Sequence, residues 1–400
     1  MSHTRADPVT LLRLGAAAHG RGETEMAARL YAQVLQADPK QADAHNLLGL
    51  LARQRGDVPA ALRHTARALA LRPKEPVFLA SHGGALAEAG RLPEAVKLLR
   101  QAVAQRPQDA VSLRNLGQAL CALGDAPAAV APLRQAVAAT PEAPEPWLAL
   151  AHALREAGDV LGAIAAAQAA ATRGDATLAE QAQFLLAALG QAALPARAPA
   201  DYVRDLFDQF APRFEAELTG RLSYQTPQLL ATLLHEVGVP GGLAVLDLGC
   251  GTGLSGAALA PFAKRLEGLD LSPRMLDQAR ASGHYAALHE ADLAAWLPSR
   301  PAGFNLIAAA DVLNYLGDLA PAFAGLHAAL APGGWAAFSI ETATTPPYEL
   351  GEAMRFRHHP DHVATLAQAA GFTEVARRGV TLRTKKGAPV AGVLFVLTRP

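Results

Sequence analysis

Two cysteines in 400 residues cannot supply a disulfide framework, and Cys121 and Cys250 sit in contexts that read as a helix and a glycine turn, so they build no zinc site either. A reducing, cytoplasmic setting is the expectation. The chain also lacks an excess of either charge: 36 Lys and Arg oppose 36 Asp and Glu, with +3 on the first 200 residues and −3 on the rest. A general nucleic-acid or anionic-membrane binder needs a basic surplus that is missing here. No uninterrupted apolar run approaches the roughly 18 residues of a membrane span, and MSHTRADPVT has no apolar core of a secretory leader. What is present in quantity is apolar mass: 51% hydrophobic against 18% charged residues excludes wholesale disorder, and the length predicts two or three domains.

The first half repeats. Gly22, Gly56, Gly90, Gly124 and Gly158, each followed by a charged residue, keep a spacing of 34 residues. Pro39, Pro73, Pro107 and Pro141 keep the same step, as do the alanines from Ala27 to Ala163 and a second small column from Val34 to Ala170. Each unit reads as an apolar-periodic helix, a Gly-charged turn, a second helix and a proline. In length and in these positions it resembles the tetratricopeptide repeat, giving five repeats over 8–41, 42–75, 76–109, 110–143 and 144–177. Small residues have a mechanical reason, since helices approach closely only where a side chain is absent or a methyl. His45 and Ala151 depart from the pattern, Ala151 standing where Gly49, Gly83 and Gly117 stand in other units.

A further apolar-periodic helix over 177–190 is expected to cap the array, completing a repeat domain over 8–190. The resemblance implies a concave groove lined by first helices, where Asn46, Arg53, Arg114 and Arg155 are candidates to hold an acidic protein or peptide partner. A solvated face is the alternative reading of the same residues. QAALPARAPA, 191–200, holds two prolines and no strong periodicity and is expected to be a linker.

From Asp201 to Pro400 the 34-residue period is gone. An aromatic-rich segment, YVRDLFDQFAPRFEAEL, precedes short apolar strands that alternate with helices: LAVLDLG, RLEGLDL, AALHEADL, FNLIAAADVL, WAAFSIET, FTEVARRGVTLRT and VAGVLFVLTRP. The alternation predicts an α/β domain whose mainly parallel sheet carries helices on both faces. In LDLGCGTGLSG, residues 246–256, a strand ends in Asp247, and Gly249, Gly251 and Gly253 form a turn that lets a ligand approach the backbone. Gly251, Gly253 and Gly256 also satisfy the dinucleotide pattern, with Asp270 at the end of the next strand, so on spacing alone a dinucleotide site fits almost as well. An acid two residues before the first glycine would repel a pyrophosphate but suits an amino-bearing ligand.

LDLGCGTG, LEGLDLSPRMLDQAR, HEADL, FNLIAAADVLNYLGDL and HAALAPGGWAAFSIET follow one another in the order seen in class I S-adenosylmethionine-dependent methyltransferases, a Rossmann-like family that residues 201–400 resemble. Together with the repeats, YVRDLFDQFAPRFE and RFRHH resemble a bacterial group of methyltransferases bearing tetratricopeptide repeats. The resemblance implies S-adenosylmethionine as cofactor. Its methionine part would be wrapped by Gly249, Cys250, Gly251 and Gly253, its amino group held by Asp247, and its ribose by Asp270. Leu271 and Met275 would cover the adenine, Asp292 and Leu293 would bind its edge, and Phe214 and Tyr224 would close over it. No metal is implied.

Methyl transfer is an in-line displacement in which the cofactor already carries the reactivity, so holding the reactants in line, on the order of 7 to 11 kcal/mol, can suffice without a base. His358, in MRFRHH after the fifth strand, is the candidate base, with Asp311 at the end of the fourth strand as second candidate. The expected function is methyl transfer to an acceptor, with the repeats recruiting a protein or peptide. The alternatives are a small-molecule methyltransferase whose repeats serve oligomerisation, a scaffold with a degenerate enzyme domain, and a dinucleotide oxidoreductase.

Overall fold

A computed structural model of the chain describes residues 7–400 apart from 222, 223, 352 and 386. It divides into two compact units that part between Ala182 and Gln183.

The first unit is built of helical hairpins: α1 (Pro8–Gly20) with α2 (Thr24–Ala37), α3 (Ala42–Gln54) with α4 (Val58–Leu71), α5 (Pro76–Glu88) with α6 (Leu92–Gln105), α7 (Ala110–Leu123) with α8 (Ala126–Ala139), and α9 (Pro144–Glu156) with α10 (Val160–Arg173). The five glycines of the 34-residue step turn each hairpin, all at positive φ between 73° and 90°, a conformation that favours a residue without Cβ. Both small columns are fully buried from end to end. A Cβ on Gly15, Gly49, Gly83 or Gly117 would come within 2.3–2.8 Å of Tyr31, Thr65, Leu99 or Leu133, the residue 16 positions on in the partner helix. The Ala151 exception follows the same logic: 16 residues on stands Ala167, whose short side chain leaves room for a methyl. The core consists of small clusters, each shared by neighbouring helices, as stacking of repeats requires.

Helix α11 (Ala176–Ala188) crosses the division, and its second half belongs to the second unit, where Phe184 packs on Tyr202 and Phe356. The second unit continues with α12 (Ala200–Phe210), α13 (Thr226–Glu236), β1 (Leu243–Leu248), α14 (Leu254–Leu259), β2 (Ala263–Asp270), α15 (Pro273–Ser282), β3 (Ala287–Glu290), α16 (Leu293–Trp296), β4 (Phe304–Ala309), α17 (Ala320–Ala329) and β5 (Leu330–Glu341). It ends with β6 (Tyr348–Leu350), β7 (Phe356–His358), α18 (Pro360–Ala369), β8 (Thr373–Lys385) and β9 (Ala388–Thr398). Seven strands form one sheet in the order β3-β2-β1-β4-β5-β9-β8, parallel from β3 to β5 and antiparallel at β9 and β8. The short β6–β7 ribbon lies outside it and was not foreseen from the sequence.

Alternate residues feed the two faces. Leu246, Leu248, Ile307, Phe338 and Ile340 enter one core, while Val245, Leu306, Ala308 and Ala337 enter the other. Strand order reverses between β1 and β4, and such a switch point opens a crevice at the carboxyl ends of the strands. The glycine turn after β1 and Asp311 after β4 both lie there.

The stretch expected to be a linker is ordered within this unit. Ala198 N–H donates to Tyr315 O at 2.8 Å, Ala196 O accepts from Gly317 and Asp318, and Arg197 bridges Leu316.

Candidate active site

Gly249, Gly251 and Gly253 all have positive φ, at 66°, 54° and 96°. At Gly249 a Cβ would also stand 2.5 Å from Val312, so β4's following loop closes directly on the turn. At Gly251 the same test finds only the Phe214 ring, at 3.8 Å, leaving a cradle under an aromatic cover. Phe214 meets Phe207 and Phe210 edge to face, and Phe207 continues to Tyr315. This segment is latched to α15: Ser272 Oγ donates to Asp208 Oδ1 at 2.5 Å and Gln278 Nε2 to Ala211 O at 2.6 Å.

Asp247, 1% exposed, accepts from Tyr285 O–H at 2.6 Å through Oδ2, while its Oδ1 is buried without a hydrogen-bond partner. Burial, with a smaller contribution from Asp270, pushes its carboxyl up to about 7 against the opposing Tyr285 bond. An orphaned buried acceptor facing an acid-lined turn suits a cationic amino group. Asp270 is oriented by two backbone donors, Gly251 N–H to Oδ2 at 2.9 Å and Ser272 N–H to Oδ1 at 2.8 Å. Its carboxyl is raised by burial, which these amides oppose, and each oxygen keeps a lone pair for a diol. Leu271 follows it, half-buried. These groups fit the methionine and ribose parts of S-adenosylmethionine.

Other expected residues stand elsewhere. Cys250 turns its side chain into a cluster with Leu276 and Ala279, where burial raises its thiol, so only its backbone borders the turn. Met275 is 0% exposed and has no face left for an adenine. Asp292 caps α16 through Ala294 N–H and gives both oxygens to Arg197, a guanidinium from the stretch read as a linker, so its place as an adenine acceptor is taken. Leu293 packs against the main core. Tyr224 keeps company with Asp311, Arg383 and Arg355 rather than with the glycine turn, and burial raises its phenol.

Both base candidates are corrected by their surroundings. His358, 1% exposed, donates Nε2–H to the carbonyls of Leu316 and Gly317 at 2.9 and 3.2 Å, its Nδ1 is buried without a partner, and burial lowers it to about 4. It is a neutral packing residue that ties β7 to the loop after β4. Asp311, at φ 62°, accepts from Arg383 at 2.9 Å and Asn314 at 3.2 Å, so each of its oxygens already has a donor. Tyr285, Arg197, Asp208, Arg355, Arg383 and Glu341 escaped sequence reasoning because their partners lie 14 to 95 residues away, with no local spacing to betray them.

In the first unit, Arg53 gives Nε and one Nη to Glu88 and lies flush on Gly84, and Arg155 bonds Glu156. Asn46 is 4% exposed with Oδ1 unpartnered, and Arg114 has a buried Nε without a partner.

Residues 245–334 match the family model of the methyltransferase domain, and residues 12–76 and 81–144 that of the tetratricopeptide repeat. The chain is 36% identical over 160 residues to trans-aconitate 2-methyltransferase of Methylobacterium radiotolerans, covering 39% of this chain and 54% of that protein. It is 27% identical over 176 residues to ubiquinone biosynthesis O-methyltransferase of Bordetella pertussis, covering 38% and 72%. The match to the first relative thus spans about half of that protein's length. Among solved structures, the N-methyltransferase NodS of Bradyrhizobium japonicum with S-adenosyl-L-homocysteine aligns at 20% identity and TM-score 0.40, over 50% of this chain and 98% of that one. A tetratricopeptide-repeat protein of Thermus thermophilus aligns at 24% identity and TM-score 0.39, over 44% and 97%. The fold and the family matches describe a repeat-bearing chain with an α/β methyltransferase domain. More particularly, the chain joins tetratricopeptide repeats to an S-adenosylmethionine-dependent methyltransferase domain.

Proposed function

We propose that this protein transfers the methyl group of S-adenosylmethionine to an acceptor bound at the carboxyl ends of β4 and β5. The observation that carries the reading is the unpartnered Oδ1 of Asp247 beside three glycines held at positive φ. A dinucleotide would bring its pyrophosphate against that acid instead. Bound S-adenosylmethionine supplies a methyl on a cationic sulfur. Asp247 holds the amino group, Asp270 the ribose hydroxyls, and the backbone of Gly249 to Gly253 leaves room for the methionine part. Phe207, Phe210 and Phe214 exclude water over the turn. No base is assigned, because His358 is sealed at 1% exposure and lowered by burial while both oxygens of Asp311 already accept, and positioning is the contribution asked of the chain.

Calorimetry with S-adenosylhomocysteine, NAD and NADP side by side tests this. S-adenosylhomocysteine binds and Asp270→Ala loses at least about tenfold in affinity, two hydrogen bonds to a charged acceptor being at stake. Unchanged binding in that variant removes the site assignment, and preference for NAD removes the reading.

The repeats fit recruitment of a protein or peptide partner, and among the groove candidates Asn46 Oδ1 and Arg114 Nε are buried atoms without a hydrogen-bond partner. Arg53 contributes less, its charge being met by Glu88. Changing Arg53, Arg114 and Arg155 to Glu should abolish label transfer to proteins in a lysate without touching cofactor affinity. Equal labelling of a low-molecular-weight fraction by both forms instead supports a small-molecule acceptor, the reading favoured by the paired state of Arg53 and by a cavity beside the site.

A further inference from the structure

The densest charge cluster of the second unit lies beyond the aromatic cover. Glu341 Oε1 accepts from Arg355 Nε at 2.6 Å and from Arg383, and Arg383 also donates to Asp311 Oδ2 at 2.9 Å. Arg355 donates its Nη1 to Tyr315 O–H at 2.8 Å and lies over that ring, 5.1 Å from its centre. One nitrogen is left over. Arg355 Nη2 is buried and has no hydrogen-bond partner, the carboxylate Oδ1 of Asp311 standing 3.8 Å away, beyond bonding reach. Burial disfavours the charge on this guanidinium, but Tyr315, Glu341 and Asp311 outweigh it, so the group stays cationic. A buried cationic donor without an acceptor costs more than a neutral one, and a ligand oxygen recovers that cost.

Arg355 borders a cavity of about 330 Å³ lined by Glu341, Gly351, Ala353, Arg355 and Arg357. Among the described residues the wall carries two guanidiniums and one carboxylate, and the bonds from Arg355 and Arg383 both end on one oxygen of Glu341. Arg357, nearer solvent, is shared with Glu349 at 2.9 Å. The cavity is linked to the glycine turn by rings in sequence: Phe214 over Gly251, then Phe207, then Tyr315, then Arg355.

We propose that this cavity takes the carboxylate of a small-molecule acceptor, with Arg355 as its anchor; the inference rests on the methyltransferase reading and names the substrate class of that site. Two arginines and two acids already balance within the cluster, so a single negative charge is tolerated at the free guanidinium face. A phosphate dianion would bring both its charges on one group to Asp311 and Glu341, whereas a dicarboxylate brings one charge per carboxyl group. A neutral amide forgoes the charge-assisted bond that the orphaned nitrogen offers.

The test uses the full chain saturated with S-adenosylhomocysteine and titrated with succinate, succinamide and inorganic phosphate, followed by calorimetry and thermal shift. Succinate should bind and raise Tm, and the other two should not. Arg355→Lys should lose at least about tenfold in succinate affinity while keeping S-adenosylhomocysteine, since a lysine cannot span both Glu341 and the ligand. Should that variant fail to fold, Ala353→Glu decides, because Ala353 is exposed on the cavity wall and a carboxylate there occupies the anchor from within. Equal binding of succinate and succinamide, preference for phosphate, or undiminished succinate binding in the folded variants overturns the proposal. Failure of the wild type to bind S-adenosylhomocysteine sinks the methyltransferase reading itself, whereas binding it without succinate preference sinks only the carboxylate anchor.

Discussion

Asp247 makes cofactor binding depend on pH in a direction that can be worked out. Its folded-state carboxyl is pushed from 3.8 up to about 7, burial being the largest cause. A raised carboxyl stabilises the fold through the proton it holds. That contribution is complete below the ordinary carboxylate range and is lost as pH climbs through about 7. Above that pH the free protein carries a buried, unmatched charge at a cost on the order of 4 kcal/mol. A ligand ammonium placed at Oδ1 recovers it. S-adenosylhomocysteine should therefore bind about tenfold more weakly at pH 6 than at pH 8, where the affinity levels off, and release close to one proton at pH 6 and about half a proton at pH 7. Calorimetry in buffers of different ionisation enthalpy reads that proton directly. Asp247→Asn should bind weakly with a flat pH profile, and should melt higher than wild type at pH 8 when no ligand is present. Tyr285→Phe, which removes the bond opposing the shift, should move the midpoint upward. An affinity that is the same at pH 6 and pH 8, or a pH dependence that survives Asp247→Asn, would refute the reasoning.

Other outcomes follow from contacts at single residues. Gly249→Ala combines positive φ with a 2.5 Å approach to Val312, so it should abolish cofactor binding, and adding Val312→Ala should restore it only in part, which calorimetry on both variants checks. Gly117→Ala forces a methyl to within 2.3 Å of Leu133 and should cost about 1 to 3 kcal/mol in the helical melting of the repeats. The double change with Leu133→Ala recreates the pair found at Ala151 and Ala167 and should recover part of the loss. Arg197→Ala frees Oδ2 of Asp292, leaving Oδ1 on the Ala294 N–H, and should alter S-adenosylhomocysteine affinity if that acid faces the adenine; no change places Asp292 outside the cofactor site. A piece beginning at Gln183 should bind cofactor, whereas one beginning at Asp201 loses the Ala196 and Ala198 bonds and the Arg197 pair and should melt earlier.

What the sequence disclosed and what it hid divide along sequence distance. The hairpin glycines were legible because their requirement is local: a turn at positive φ every 34 residues excludes other residue types one position at a time. The strands of the sheet were legible for the same reason, since an apolar run followed by a glycine or an acid is a property of neighbours. Asp247 and Asp270 came with their strands. Their state did not, because Asp247 is raised by burial that only the folded chain creates and is opposed by a bond from Tyr285, 38 positions away. In MRFRHH the histidines stand out in the sequence, yet Arg355 is the residue that borders the cavity with a buried nitrogen unpartnered, while His358 is sealed against the carbonyls of residues 316 and 317.

The same distance argument explains why the stretch 191–200 read as a linker. Its composition is that of a connector, and the acceptor that orders it, Asp292, lies 95 residues on. Arg197 ties that segment to the edge of the expected adenine site, and the backbone of Ala196 and Ala198 ties it to the loop after β4, which also carries Tyr315. One short strap thus touches both halves of the crevice: Asp292 follows Ala291, whose N–H donates to the carbonyl of the ribose acid Asp270 at 3.1 Å, and the loop after β4 borders the side assigned to acceptor. A change in the strap's position acts on Asp292 and on the Tyr315–Arg355 pair together, so the two binding events share a structural element even though no residue of one site belongs to the other. Affinity for S-adenosylhomocysteine and affinity for succinate should therefore change together in Arg197→Ala, and by thermodynamic reciprocity each ligand should shift the other's binding by the same factor. Independent responses of the two affinities would mean that the strap holds the domain together without coupling its halves.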